Sequence, residues 1–363
     1  MKKSILIVAS GTGGHVVPAI NVSEKLLNHK LQIIWIGTKN GIENKIVKRK
    51  DITIKHIKSS GIRGKNIIDT MRGLFNLVQS FFQSLVILHK EKPLFILGFG
   101  GYISVPVSFA AFVMRVPVYV HESNSIAGTA NKLNNKISRN TFQTFPKTFP
   151  SSNKIILSGN PIKSSFDNIE KPELKYAMKK NKINILIFGG SQGSKFFNEV
   201  IPFCLSDDKD LFSVKHISGA NNLEIVKNSY KKNNLSAEVI EFSNQMDEMY
   251  NWADIVISRS GSMTVTEISH SGRASILVPF LYATDNHQYH NAKYLVEKSA
   301  AILIEENKNF SKNLKSSLKH LYSNQKNLLK IAINAKNLFP NDSGDIIIKN
   351  IPELDEKLNN ATS

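Results

Sequence analysis

The sequence predicts an α/β protein made of two doubly wound, parallel-sheet domains. Three observations carry that prediction. Short continuous apolar runs alternate with stretches of helical periodicity, as strands covered on both faces by crossover helices require. The pattern then restarts: Ile-Leu-Ile at 5–7 precedes a glycine-rich loop, and Ile-Leu-Ile at 185–187 precedes another, a spacing of 185 − 5 = 180 residues. Finally, the chain has 363 residues, and one domain per ~150 residues gives two, or three.

In chain order, residues 5–9 form the first strand and 18–28 a helix. Strands at 31–37 and 52–57 follow, then a long helix at 66–89. Strands at 94–98 and 116–121 flank a helix starting near Ser104. The link runs from Gly159-Asn160-Pro161 to Pro172. The second half has strands at 183–188, 212–216, 237–241, 254–258, 275–278 and 300–304. The last ~20 residues read as a polar amphipathic helix. Residues 94–114 carry no charge, which is transmembrane length, yet Gly98, Gly100, Gly101 and Pro106 interrupt them. They read as strand, loop and helix of a core. The apolar run 5–9 after Met1-Lys2-Lys3 is shorter than the ~7–15 residues a signal peptide needs.

Composition narrows the class. Hydrophobic residues make up 41% and charged residues 21%, a globular balance. Lys plus Arg is 47 and Asp plus Glu 29, a net charge of +18. That excess suits an acidic partner, and it is equally what a lysine- and asparagine-rich background produces. A single cysteine, Cys204, excludes an intramolecular disulfide and a cysteine metal cluster, and points to a reducing compartment.

Ligands of doubly wound sheets bind at the carboxyl ends of the strands, which with two domains points to the cleft between them. The loops there are informative. Ser10-Gly11-Thr12-Gly13-Gly14-His15 offers backbone amides and a helix start to an anion. Val16 stands where the dinucleotide fingerprint has its third glycine, and strand two ends without an acid, so the usual ribose partner of NAD is missing. His15 reads as a base or as a structural histidine. Gly189-Gly190-Ser191-Gln192-Gly193-Ser194 is not a P-loop but suits a diphosphate. His121-Glu122-Ser123-Asn124 follows a buried strand. Ser258-Arg259-Ser260-Gly261 enters a helix carrying Glu267, a carboxylate able to accept from two vicinal ribose hydroxyls. Asp285-Asn286-His287-Gln288 with Asn291 offers amides to sugar hydroxyls. His287 and His290 have no third ligand at metal spacing, and Asp208-Lys209-Asp210 precedes a strand, at the wrong end of the sheet.

With Gly100-Gly101-Tyr102 and Gly159-Asn160-Pro161 added, these motifs occur in an order that resembles the MurG family, glycosyltransferase family 28. These bacterial enzymes add N-acetylglucosamine to lipid I and make lipid II. The resemblance covers about residues 5–300. It implies a GT-B fold of two Rossmann-like domains: 1–160 facing acceptor and membrane, 161–340 binding UDP-GlcNAc, and a helix within 341–363 packing back on the first. It implies inverting transfer from UDP-GlcNAc to the 4-hydroxyl of the muramyl sugar. The implied donor contacts are Thr12, Gly13, Gly14, Asn124, Lys163, Ser191, Ser243, Ser262, Met263, Thr264, Val265, Thr266, Glu267 and Gln288. Glu267 holds the ribose and Ser191 the diphosphate. Tyr102, Glu122, Gln192 and Asn291 touch sugar or acceptor, and His15 is the candidate base. No metal and no cofactor beyond the donor substrate is expected. The implied partners are UDP-GlcNAc, lipid I, the cytoplasmic face of the inner membrane, where the protein sits peripherally, and other cell-wall synthesis and division proteins.

Departures from the family pattern are Lys163 for arginine, which keeps charge without bidentate geometry, Ser123 for glutamine, and Ser243 for an aliphatic residue. Residues Lys65, Asn66, Ile67, Ile68, Met71, Arg72, Leu74, Phe75, Val78, Phe81, Phe82 and Leu85 offer an apolar face with basic flanks, either a membrane contact or a cover for the sheet. One alternative is another GT-B enzyme using UDP-GlcNAc, a glycolipid synthase or 2-epimerase. The other is a basic nucleic-acid- or membrane-binding protein without catalysis. No nucleic-acid motif supports the latter, and nucleic acid is not an expected partner.

Overall fold

The computed structural model describes residues 3–47, 50–58, 67–190 and 192–354, without the side chains at 67–72 and 74. The chain divides into two compact units, Met1–Ile162 with Pro340–Ser363, and Lys163–Phe339.

Unit 1 contains β1 (Ser4–Val8), β2 (Gln32–Gly37), β3 (Ile52–His56), β4 (Ile96–Gly98), β5 (Val118–Glu122), β6 (Asn140–Gln143) and β7 (Ile155–Leu157). They form one parallel sheet in the order β3-β2-β1-β4-β5-β6-β7. Side chains alternate across it. Ile5, Ile7 and Trp35 join one apolar cluster, while Leu6, Val8, Ile34 and Ile36 join another on the opposite face. This two-faced burial is why β1 is apolar at four consecutive positions. Ile347, Ile351 and Leu354 pack into the first cluster. Polar bonds tie the same segment down: Lys25 pairs with Asp345 at 2.5 Å, and Glu353 accepts from the Tyr119 hydroxyl at 2.6 Å and from Arg139 at 2.7 Å.

Unit 2 repeats the plan with β8 (Ile183–Phe188), β9 (Phe212–Ile217), β10 (Glu238–Ile240), β11 (Ile255–Ser258), β12 (Ala274–Leu277) and β13 (Ile302–Leu303). The order is β10-β9-β8-β11-β12-β13, again parallel. The strand order reverses at β1/β4 in unit 1 and at β8/β11 in unit 2, so loops diverge there and leave a crevice beyond the strand ends.

Two features differ from the sequence reading. The first helix spans Gly13–Leu27, with Pro18 inside it rather than at its start. The strands β6 and β7 were not anticipated. Four residues, Asn-Thr-Phe-Gln, and three, Ile-Ile-Leu, are too short to show a period.

Candidate active site

In unit 1 three loops meet at the switch point: those after β1, β4 and β5. His15 opens the Gly13–Leu27 helix, half-buried, with Nδ1 3.2 Å from the Ser10 carbonyl. A carbonyl only accepts, so Nδ1 carries the proton and the lone pair of the neutral ring is on Nε2. Gly100 faces that nitrogen with φ +97°, and a Cβ there would lie 3.1 Å from Nε2. Tyr102, on the same loop, is 38% exposed.

The segment after β5 is mostly internal. His121 is buried and donates from Nε2 to the Gly159 carbonyl at 3.0 Å; burial pushes its pKa down to about 4, so the ring is neutral. Glu122 is also buried. One carboxylate oxygen accepts from the Asn124 amide at 2.9 Å and the Asn124 side chain at 3.2 Å; the other accepts from the Gly128 amide at 3.0 Å and Asn131 at 2.9 Å. A carboxylate has about four acceptor sites. All are used within the chain, so Glu122, expected at the acceptor, orders the loop that carries Asn124. Thr12 is exposed and extended at the helix N-cap, with its carbonyl accepting from the His15 and Val16 amides.

In unit 2 the corresponding loops follow β8, β11 and β12. Ser194 caps the Lys195–Leu205 helix, accepting from the Phe197 amide at 3.3 Å. Gly193 has φ +76°, and a Cβ there would meet the Ser218 carbonyl at 2.3 Å, so only glycine lets the loop press against the strand beside it. Gln192 is exposed, and Ser191 lies outside the described residues. The Ser262–Ser271 helix starts at Gly261, where the amides of Ser262, Met263 and Thr264 stand outside its own ladder. Val265 and Thr266 are fully buried, and the Thr266 hydroxyl donates to the Ser262 carbonyl at 2.8 Å. The side chains of these two expected donor-contact positions therefore pack the core.

Glu267 is half-buried one turn further, where the Tyr250 hydroxyl donates to it at 3.1 Å. Burial raises its carboxyl to about 7; the Tyr250 bond and Lys163 pull the other way. Lys163 is exposed, with Nζ 3.5 Å from the Asn244 carbonyl, beside Ser243, whose hydroxyl accepts from the Gln245 amide at 3.1 Å. Gln288 accepts from the Phe280 amide at 3.0 Å, leaving two side-chain donors. Asn291, expected at the sugar, is fully buried and donates to the Ser260 carbonyl at 3.2 Å, which shapes the β11 loop. Among the described residues no group of three or more His, Cys, Asp or Glu is placed to hold a metal ion. Asp208, of the Asp-x-Asp spacing, pairs with Lys319 at 3.5 Å.

The family model of the glycosyltransferase family 28 N-terminal domain matches residues 5–143, and that of the C-terminal domain matches residues 184–345. The chain belongs to glycosyltransferase family 28. It is 39% identical over 337 residues to the UDP-N-acetylglucosamine--N-acetylmuramyl-(pentapeptide) pyrophosphoryl-undecaprenol N-acetylglucosamine transferase of Haemophilus influenzae strain PittEE, covering 93% of this chain and 94% of that one. A Coxiella burnetii (strain Dugway 5J108-111) protein of the same name is 36% identical, covering 92% and 94%. The crystal structure of Acinetobacter baumannii MurG superposes with a TM-score of 0.83 at 30% identity, covering 95% of this chain and 98% of that chain. The fold of this family 28 transferase is thus GT-B, as the motif order implied.

Some residues that build the site are absent from the expected contacts of the family 28 enzyme. Arg259 is buried and spans three elements. It donates to the Ser194 hydroxyl at 3.1 Å and to the Val278 and Pro279 carbonyls at 3.2 Å each, and pairs with Glu306 at 2.6 Å. It thereby ties the glycine loop after β8 to the loop after β12. Asn131 donates both to Glu122 and, at 3.0 Å, to the His121 carbonyl. No short-range pattern announces either: the hydrogen-bond partners of Arg259 lie 19, 20 and 65 positions away and those of Asn131 9 and 10.

Proposed function

We propose that this family 28 transferase moves N-acetylglucosamine from UDP-GlcNAc to the 4-hydroxyl of N-acetylmuramic acid in undecaprenyl-pyrophosphoryl-MurNAc-pentapeptide, lipid I, giving lipid II with inversion at the anomeric carbon. The observation that carries this reading is the 36–39% identity, over more than nine-tenths of each chain, to transferases named for that reaction.

The geometry supports a division of labour. In unit 2, Glu267 as carboxylate accepts from the ribose hydroxyls, and the helix-start amides at 262–264 with the loop after β8 face the diphosphate. Lys163 supplies the cation beside it, and Gln288 offers its amide donors to the sugar. Charge grows on UDP as it leaves, and preorganised donors of this kind stabilise it. In unit 1, His15 takes the proton of the attacking hydroxyl at Nε2, while the Ser10 carbonyl holds the ring in the tautomer this needs. The imidazolium that forms keeps its Nδ1 proton on that carbonyl, so no reorganisation is required there.

The acceptor is lipid-linked, and we place the enzyme peripherally on the cytoplasmic face of the inner membrane. Phe75, Val78, Phe82 and Val86 are each at least 50% exposed at spacings of three, four and four, one stripe of the Ile67–Glu91 helix. The neighbouring Ser104–Val113 helix exposes Phe112 and Val113 by 55% and 61%. Phe81 and Leu85, expected on the same face, pack instead against the core under the sheet. Lys65 and Asn66 lie outside the described residues. Among those residues no helix is long and apolar enough to cross a membrane.

The test is UDP release from UDP-GlcNAc with and without a lipid I analogue. Acceptor-dependent release with the sugar recovered on the lipid is expected. Release that ignores the acceptor, or formation of an epimerised sugar nucleotide, would replace this reading with another GT-B reaction.

A further inference from the structure

Pro18 sits inside the Gly13–Leu27 helix. Proline has no N–H, so the carbonyl four residues earlier, that of Gly14, receives no bond from position 18, and the ring crowds that carbonyl outward. Gly14 belongs to the glycine loop and immediately precedes His15. The side chain that reaches its carbonyl comes from a different strand end: the Ser123 hydroxyl lies 3.2 Å from Gly14 O. Ser123 is fully buried. Its hydroxyl is also 3.3 Å from Asn160 Oδ1 and 3.5 Å from His121 Nδ1, so the Gly14 carbonyl is the nearest of three acceptors for one proton. A backbone carbonyl left without a donor at such a place costs about as much as a lost hydrogen bond.

We propose that Ser123 is a positioning residue for the transfer: its hydroxyl takes the Gly14 carbonyl that Pro18 leaves open, and so fixes the peptide planes that carry Gly13, Gly14 and His15. Ser123 touches no reacting atom. Its effect on turnover rests on the reading of His15 and the glycine loop given above, whereas its effect on the loop does not.

The coupling between Ser123 and Pro18 makes the test specific. Pro18→Ala supplies the missing N–H to Gly14 O from within the helix, and should make the serine dispensable. In the unaltered background Ser123→Ala lowers kcat about tenfold, the factor one hydrogen bond is worth. In the Pro18→Ala background the same change alters kcat by less than about twofold. A merely structural serine would cost the same factor in both backgrounds, and that result, or no loss in either, overturns the proposal. Hydrogen exchange of the amides of His15, Val16, Val17 and Ala19 reads the same cycle without substrate: Ser123→Ala speeds exchange only where Pro18 is present. Absence of that coupling overturns the proposal whatever the turnover. If the coupling holds and even the unaltered chain fails to use UDP-GlcNAc with the lipid I analogue, the functional reading fails and the role of Ser123 in the loop stands.

Discussion

A methyl group at position 100 would stand 3.1 Å from Nε2 of His15, the nitrogen proposed to take the proton of the attacking hydroxyl. Gly100→Ala therefore crowds the proposed base and also forces an alanine to φ +97°. His15→Ala should lower kcat by ~10²–10⁴, the usual range for a lost general base, with donor KM little changed. Gly100→Ala should follow it in direction, and UDP release with a lipid I analogue measures both; a His15→Ala enzyme of near-normal kcat removes His15 from the chemistry. Glu267 gives the pH dependence. Its folded carboxyl, raised to about 7, holds a proton that the unfolded chain has already released above its ordinary value of 4.5. The free protein thus loses stability as pH climbs from about 4.5 to about 7, and Glu267→Gln removes that slope. On the proposed role of Glu267, ribose hydroxyls donate to its ionised form, so UDP-GlcNAc should bind more tightly as pH rises through about 7, with release of a proton. Calorimetric titration of the donor in two buffers of different ionisation enthalpy checks this, and Glu267→Gln should bind weakly without the proton release.

At the scale of elements, legibility followed local pattern. The strands β1, β2, β8 and β11 were readable because burial on both faces leaves runs of three or four apolar residues, as at Ile5–Val8 and Ile185–Phe188. The glycine loops were readable because positive φ at Gly11, Gly100, Gly190 and Gly193 restricts the residue type. The burial of Glu122, Asn291, Val265 and Thr266 was not, since burial depends on what covers a residue from elsewhere in the chain. The sequence reading starts the first helix at Pro18 because a proline usually marks a helix start; the structure starts it at Gly13, with the Ser123 hydroxyl, just after β5, 3.2 Å from the Gly14 carbonyl. Arg259 shows the same limit most clearly. The sequence marked it only as part of a loop, yet it holds Ser194, Val278, Pro279 and Glu306 together. Arg259→Ala strands the largely buried Glu306 carboxylate and should cost about 3–5 kcal/mol in thermal unfolding of unit 2. Arg259→Lys keeps the charge but not the fork, so it should restore part of the stability while donor KM stays raised. A lysine variant of normal donor KM would mean that the link between the loops after β8 and β12 does not shape the donor site.

At the scale of the whole chain, a net charge of +18 and an uncovered apolar stripe act on the same surface problem. Charge alone would make binding to anionic vesicles general but salt-sensitive, since a Debye length near 10 Å at ~0.1 M ionic strength screens it. Apolar insertion alone would be salt-tolerant and would not select anionic lipid. The sequence could not divide these contributions, because Phe75, Phe81 and Phe82 look alike in it. Burial does divide them: Phe75 and Phe82 are 70% and 60% exposed, whereas Phe81 packs on the core. Phe75→Ser with Phe82→Ser should therefore weaken binding to vesicles of anionic lipid by at least ~tenfold, since burying each ring is worth ~1.5–3 kcal/mol at full insertion. Thermal stability and turnover of a water-soluble lipid I analogue should be nearly unchanged. Phe81→Ser should do the reverse, lowering the melting temperature while leaving the outward stripe intact. Raising salt should weaken what remains of vesicle binding in the double variant more steeply than in the parent, because its remaining affinity is electrostatic. Sedimentation with vesicles across a salt series measures all of this. Equal sensitivity of parent and double variant to salt, with equal affinity, would mean that the stripe faces a partner other than lipid.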